Sequence, residues 1–185
     1  MPNRQLEYLA AQLDSRQPKH PDLMSDYSLE PPINVDLTGH DSPTLVTARD
    51  PRWMREMVEV LARYARKERR YNGTLFDANE TPGHDDFYPY EVYLFHETAW
   101  DQVEEDIPVP TRAIGAVCLR HIGSKDEPIW TMQWAWFHPF ARARGLLSDF
   151  WPELKAKYGD FTVQSPLSSS MKAFLATHGE PIPPA

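Results

Sequence analysis

A mixed α/β domain is expected from the way strand-like and helix-like patterns alternate along this chain. Three β-prone runs occupy its middle, at residues 90–96, 112–121 and 129–137. The last, Trp130-Thr-Met-Gln-Trp-Ala-Trp-Phe137, stops at His138-Pro139 and gives way to a helical pattern opening at Arg142-Ala-Arg-Gly-Leu-Leu147. Helical spacing also precedes the runs, at Trp53, Met57, Val60, Leu61 and Tyr64, and closes the chain, at Met171, Phe174 and Leu175.

Composition sets the outer bounds. A chain of 185 residues with 41% hydrophobic and 25% charged residues holds one ordinary folded core. Its net charge of −8 excludes a broad nucleic-acid surface, because phosphate binding needs clustered Lys and Arg. Cys118 is the sole cysteine, so neither an internal disulfide nor a cysteine zinc site forms; its apolar run, residues 113–119, makes it a buried structural thiol. The first residues lack the apolar segment of a signal peptide, and no run reaches membrane-spanning length, so a soluble, cytoplasmic protein is expected.

The elements follow in order. Leu6, Leu9, Ala10 and Leu13 predict a short amphipathic helix, and residues 15–43, with five prolines, an extended arm; together they form an N-terminal segment 1–43 ahead of a main domain 44–185. Within the arm Ile33-Asn-Val-Asp-Leu37 reads as a strand, and Leu45-Val-Thr47 as another. Asp50-Pro51 starts a helix, Asp50 capping its amides and Pro51 taking the first position; it ends near Tyr71-Asn72-Gly73. The basic run from Arg63 to Arg70 reads as that helix's solvated face. Residues 72–89 are turn-rich and suit a loop near a substrate entrance; residues 97–110 are acidic, with Glu97, Asp101, Glu104, Glu105 and Asp106. The helix from Arg142 is interrupted at Pro152, a short strand comes next at 161–164, and a last helix runs over 168–178.

The turn after the aromatic strand carries the strongest chemical signal. A helix start presents amides without intrahelical partners and the positive end of its dipole, and here Arg142 and Arg144 join them. Such a spot selects an anion, with pyrophosphate as the natural candidate. The order of strand, Arg-x-x-Gly turn, helix, short strand, Ser165-Pro166 and second helix resembles the acetyl-CoA-binding half of the Gcn5-related N-acetyltransferase (GNAT) superfamily, with some likeness to its cohesin-acetyltransferase branch. The likeness covers about fifty residues, Trp130 to Gly179, and reaches weakly back to Tyr90. The family's turn reads Gln/Arg-x-x-Gly-x-Gly/Ala; this chain has Arg142, Gly145 and Leu147, so the third position is large.

The resemblance implies a GNAT-like fold with a short C-terminal half, acetyl-CoA as co-substrate and an amine as acceptor. It assigns the pyrophosphate to Arg142, Ala143, Arg144, Gly145, Leu146 and Leu147, and the pantetheine arm to the backbone at Trp136 and Phe137. The side chains of Trp134 and Trp136 read independently as a buried strand face. Ser165 is a candidate catalytic or pantetheine-binding group; equally, Ser165 and Ser168 simply initiate the last helix, with Ser168 as its N-cap. Gln133, alternating with Trp134, is a candidate facing the acceptor. The family's thiolate-protonating Tyr has no counterpart in the last helix, leaving His178 as a substitute acid or as a partner of the helix dipole. Glu97 is the acidic residue nearest a strand end. His40-Asp41 and His84-Asp85-Asp86 read as solvated loops rather than metal ligands, because neither has a third anchor.

The expected activity is acetyl transfer to an unidentified amine; the alternative is an acetyltransferase-like binding or assembly protein without catalysis. The chain ends at Pro181-Ile-Pro-Pro-Ala185, before the two strands that usually come next in the family. Either the N-terminal arm or a second subunit, in a homodimer, is therefore expected to cover the edge of the strand at 161–164.

Overall fold

The computed structural model of the protein describes residues 29–80, 82–83, 87–105, 108–124 and 127–183. The expected helix at Leu6 to Leu13 and the His84-Asp85-Asp86 loop lie outside them. The chain divides into two units, Met1–Glu30 and Pro31–Ala185, of which the second carries the sheet and the helices packed on it.

The centre of this second unit is a six-stranded mixed sheet: β1 (Ile33–Asn34), β2 (Thr44–Thr47), β3 (Tyr90–Thr98), β4 (Thr111–Ser124), β5 (Glu127–Phe137) and β6 (Thr162–Val163). The order is β2-β3-β4-β5-β6; neighbours are antiparallel except β5 and β6, which are parallel. β1 pairs with the start of β4, Ile33 opposite Arg112 and Asn34 opposite Thr111, and so lies beside the part of β4 that β5 does not reach. Residues expected as arm thus join the sheet. The strand anticipated over 33–37 is shorter than expected, because the Asn34 side chain accepts from the Asp36 amide and turns residues 35–37 into a 3₁₀ turn.

Among the described residues there are three α-helices, α1 (Arg52–Glu68), α2 (Leu146–Tyr158) and α3 (Ser169–Thr177). This is the mixed α/β architecture that the alternating patterns predicted. None of the helices is long and apolar enough to cross a membrane. α1 packs on one face of the sheet, with Tyr64 against Trp136 at 5.5 Å between ring centroids. The other face carries α2 and α3: Phe150, Trp151, Leu154, Met171 and Leu175 form one buried cluster with Tyr93, Phe95, Val117, Leu119 and Met132.

Several helix details depart from expectation. Asp50 does not cap α1; its carboxylate accepts from the Thr47 amide and hydroxyl, both at 2.7 Å, and Pro51 stands before the first helical residue. The buried face of α1 is Met54, Met57, Val58, Leu61, Ala62 and Ala65, rotated from the predicted stripe, so that Trp53, Val60 and Tyr64 are only half-buried. α1 stops at Glu68 rather than near Tyr71. Arg70 adopts φ 53° and the Tyr71 amide closes back onto the Arg66 carbonyl at 3.0 Å, the hydrogen-bond pattern of a Schellman end. α2 begins at Leu146, not Arg142, and runs through Pro152 as one helix.

His96 on β3 reports on the stability of this frame. Its Nε2 lies 2.8 Å from the Thr44 hydroxyl and 3.2 Å from the Asp41 carbonyl, and burial lowers its pKa below the ordinary 6.5 despite that carbonyl. The unfolded chain therefore takes up a proton at His96 as pH falls through about 6.5 while the folded chain resists it, and stability drops. Urea midpoints measured from pH 7.5 down to 5.5 should fall more steeply for the native protein than for His96→Gln; parallel curves would contradict this assignment.

Candidate functional site

The site originates in an irregularity of β5. Cys118 pairs with Trp134 but Leu119 with Met132, so Gln133 is an extra residue, a β-bulge. The bulge breaks the side-chain alternation expected for Gln133 and Trp134. Met132 and Ala135 both turn toward the α2/α3 cluster, whereas Gln133 and Trp134 share the α1 face with Cys118 and Arg120. At the same point β5 and β6 part. They pair only at Thr131–Thr162 and Met132–Val163, and after the Gln164 amide bonds the Met132 carbonyl at 2.9 Å the chain leaves through a cis Ser165-Pro166 bond. Residues 133–137 have no strand partner on that side among the described residues.

The gap opens into a cleft of about 730 Å³. Its floor is β5 from Gln133 to Phe137, one wall is the turn and first residues of α2, the other is residues 164–168 with the start of α3, and Glu68, Arg69, Tyr71 and Leu75 close the α1 end. Gly115, opposite Phe137, keeps that ring in its place: a Cβ there would lie 2.3 Å from the Phe137 ring.

The turn entering α2 has the form of an anion nest. After a 3₁₀ turn at Pro139–Ala141, Ala143 and Gly145 take left-handed φ values of 57° and 80°. The first amide bonded back into the turn is that of Asp149, to the Gly145 carbonyl at 2.9 Å; the amides of residues 143–148 meet no acceptor among the described residues. Gly145→Ala is expected to cost about 1–2 kcal/mol, since a Cβ disfavours left-handed φ and would stand 3.4 Å from the Asp149 carboxylate. Chemical denaturation measures it; unchanged stability would mean that the turn does not need this conformation.

The arginines expected around the anion are engaged elsewhere. Arg142 donates through Nε to the Phe137 carbonyl at 2.9 Å and through Nη2 to Glu68 at 2.5 Å, with its guanidinium 5.8 Å from the Trp136 ring centroid. Glu68 also accepts from the Trp136 indole at 2.7 Å. Arg142 is thus a brace tying the turn to the end of β5 and to α1. Arg144 pairs with Glu97 at 2.9 Å, so the Glu97 carboxylate is occupied by this turn.

The cation that faces the cleft without a carboxylate partner among the described residues is Arg69. Its place in a basic run predicts a solvated face; instead Arg69, still right-handed at φ −80°, continues the buried stripe of α1 through Val58, Ala62 and Ala65, and burial lowers its pKa from the usual arginine value, partly offset by Glu68. It stays charged at neutral pH. Sequence reading also missed Tyr71, which lines the cleft and lies over Gly73.

The other predicted residues divide. Trp136, Phe137, Gln133 and Ser165 line the cleft together with the turn. Ser168 is the N-cap of α3, its hydroxyl accepting from the Met171 amide at 3.2 Å. His178 is not among the lining residues: it stacks on Phe174 with ring centroids 4.1 Å apart, and its Nδ1 is 2.9 Å from the Phe174 carbonyl at the end of α3. Leu147 contributes both to the cleft and to the apolar cluster. Cys118 is fully buried and its thiol is pushed up to about 12 by burial, which keeps it protonated. Among the described residues no group of three or more His, Cys, Asp or Glu could hold a metal ion.

A second cavity of about 620 Å³ adjoins the first, sharing Leu75 and Gln133 with it. Its polar lining includes Asp77, Glu80, Tyr88 and Arg120. No known family model and no curated protein matches the chain.

Proposed function

We propose that this protein is an acetyl-CoA-dependent N-acetyltransferase of the GNAT type, acting on an amine acceptor. The observation that carries the reading is the parting of two parallel strands at a bulge, joined in one cleft with a run of unbonded amides at a helix start. In this reading the amides of residues 143–148 and Arg69 hold the pyrophosphate, and the pantetheine arm lies along the unpaired edge of β5 past Phe137 and Trp136. Two cavities meeting at Gln133 provide separate rooms for the acyl donor and the amine.

The chemistry asks little of side chains. The amine nitrogen attacks the thioester carbonyl, the new C–N bond forms as the C–S bond breaks, and a proton passes from the nitrogen to the leaving thiolate. Tyr71, the tyrosine lining the cleft among the described residues, is the proton donor we assign to that thiolate, filling the role for which α3 has no tyrosine. Transfer is direct. The single thiol of the chain, Cys118, lies in neither cavity and stays protonated, so it carries no acyl group.

A second reading, a binding module without catalysis, draws support from the carboxylates around the turn: Glu68 and Glu97 occupy its arginines, and Asp149 lies over Gly145. Release of CoA thiol from acetyl-CoA, monitored with a panel of small amines and lysine peptides, distinguishes them. Amine-dependent release supports the enzyme; saturable acetyl-CoA binding without release under any amine supports the module.

A further inference from the structure

Gln133 is held in an unusual way. Its Oε1 accepts from the Arg120 Nε at 2.9 Å, and because an arginine nitrogen only donates, the carboxamide oxygen must be the atom turned toward Arg120. Arg120 in turn is fixed by Glu80, whose two carboxylate oxygens accept from Nη1 and Nη2 at 2.7 Å each, and Nη1 also reaches the Tyr88 carbonyl at 3.3 Å. The pair is well shielded, with side-chain exposures of 9% and 19%. The carboxamide nitrogen, Nε2, therefore points away from Arg120 and meets no acceptor among the described residues, although Gln133 lines both cavities. A part-buried network thus ends in one oriented amide group with unused N–H donors at the boundary of two rooms.

Gln133 also stands where an acyl group would arrive. It is the bulge residue at which β5 and β6 part, four residues from Phe137 beside the amide turn, or about 13 Å along the strand. We propose that Arg120 and Glu80 are positioning residues that lock the Gln133 carboxamide with its N–H groups toward the cleft, where it donates to the carbonyl oxygen of a bound acyl thioester. This rests on the acyl-CoA reading. A donor aimed at that oxygen strengthens its bond as negative charge develops there, the general logic of an oxyanion hole.

Acetyl-CoA labelled with ¹³C at the carbonyl, studied by infrared difference spectroscopy on the full chain, tests this, with calorimetric titration of CoA as the control that lacks the carbonyl. Gln133→Met keeps the length of the side chain and removes the donor. The bound carbonyl stretch should lie lower in the native protein than in Gln133→Met, and the preference for acetyl-CoA over CoA should fall by about twofold to tenfold in the variant. Arg120→Met combined with Glu80→Met removes both charges together and leaves no unpaired ion; its carbonyl stretch should move toward that of Gln133→Met.

If both native protein and Gln133→Met bind acetyl-CoA with the same carbonyl stretch, Gln133 is not the donor and the proposal fails. A native stretch in the double variant would overturn the positioning role of Arg120 and Glu80. If the native protein binds neither acetyl-CoA nor CoA, the acyl-CoA reading fails, and this inference with it.

Discussion

Arg120→Met alone is expected to lower the stability of the protein by about 3–5 kcal/mol, because it strands the Glu80 carboxylate in a shielded site. It also removes the donor to Gln133 and the one to the Tyr88 carbonyl. Arg120→Met with Glu80→Met should cost distinctly less, since both charges leave together and the methionines keep the apolar volume. Guanidinium denaturation of the two variants measures the difference directly. A single variant no less stable than the double one would mean that Glu80 finds solvent or another cation, and that the pair does not brace the bulge.

Arg69→Ala is expected to weaken binding of CoA by about tenfold to a hundredfold, the loss of one charge-assisted hydrogen bond to a phosphate. Its effect on stability should be small, because Arg69 has no ion-pair partner among the described residues to strand. Arg142→Ala should behave differently. It removes the bond to Phe137, frees Glu68 beside the cleft and loosens the turn, so stability and binding should fall together. Unaltered CoA affinity in a folded Arg69→Ala protein would remove Arg69 from the phosphate site.

Where the sequence was readable, local chemistry decided the structure. The aromatic run ending at His138-Pro139 became β5, the Gly145 turn opened α2, and Ser168 capped α3, each through interactions within a few residues. The bulge at Gln133 carries no glycine or proline to announce it; it arises from the register of β4 against β5, and it moved Gln133 onto the same face as Trp134. Arg69 was legible in the helical phase: it follows Val58, Ala62 and Ala65 on the buried stripe of α1, a position that the basic residues around it masked. The pairs Arg144–Glu97 and Arg142–Glu68 span 47 and 74 residues of sequence, so a reading of spacing left both arginines free for a phosphate. Asp50, expected as a cap, bonded backward to Thr47 instead, a competition that short polar side chains often win at helix starts.

In the proposed function the cleft between β5 and β6 holds an acyl-CoA by its pyrophosphate on the amides entering α2. Isothermal titration of the full chain with acetyl-CoA measures this binding. Saturable binding at one site per chain is expected, weakened about tenfold or more by Arg69→Ala and weakened also by Gly145→Ala. No binding heat at any acetyl-CoA concentration up to the millimolar range, from protein shown to be folded, would contradict it.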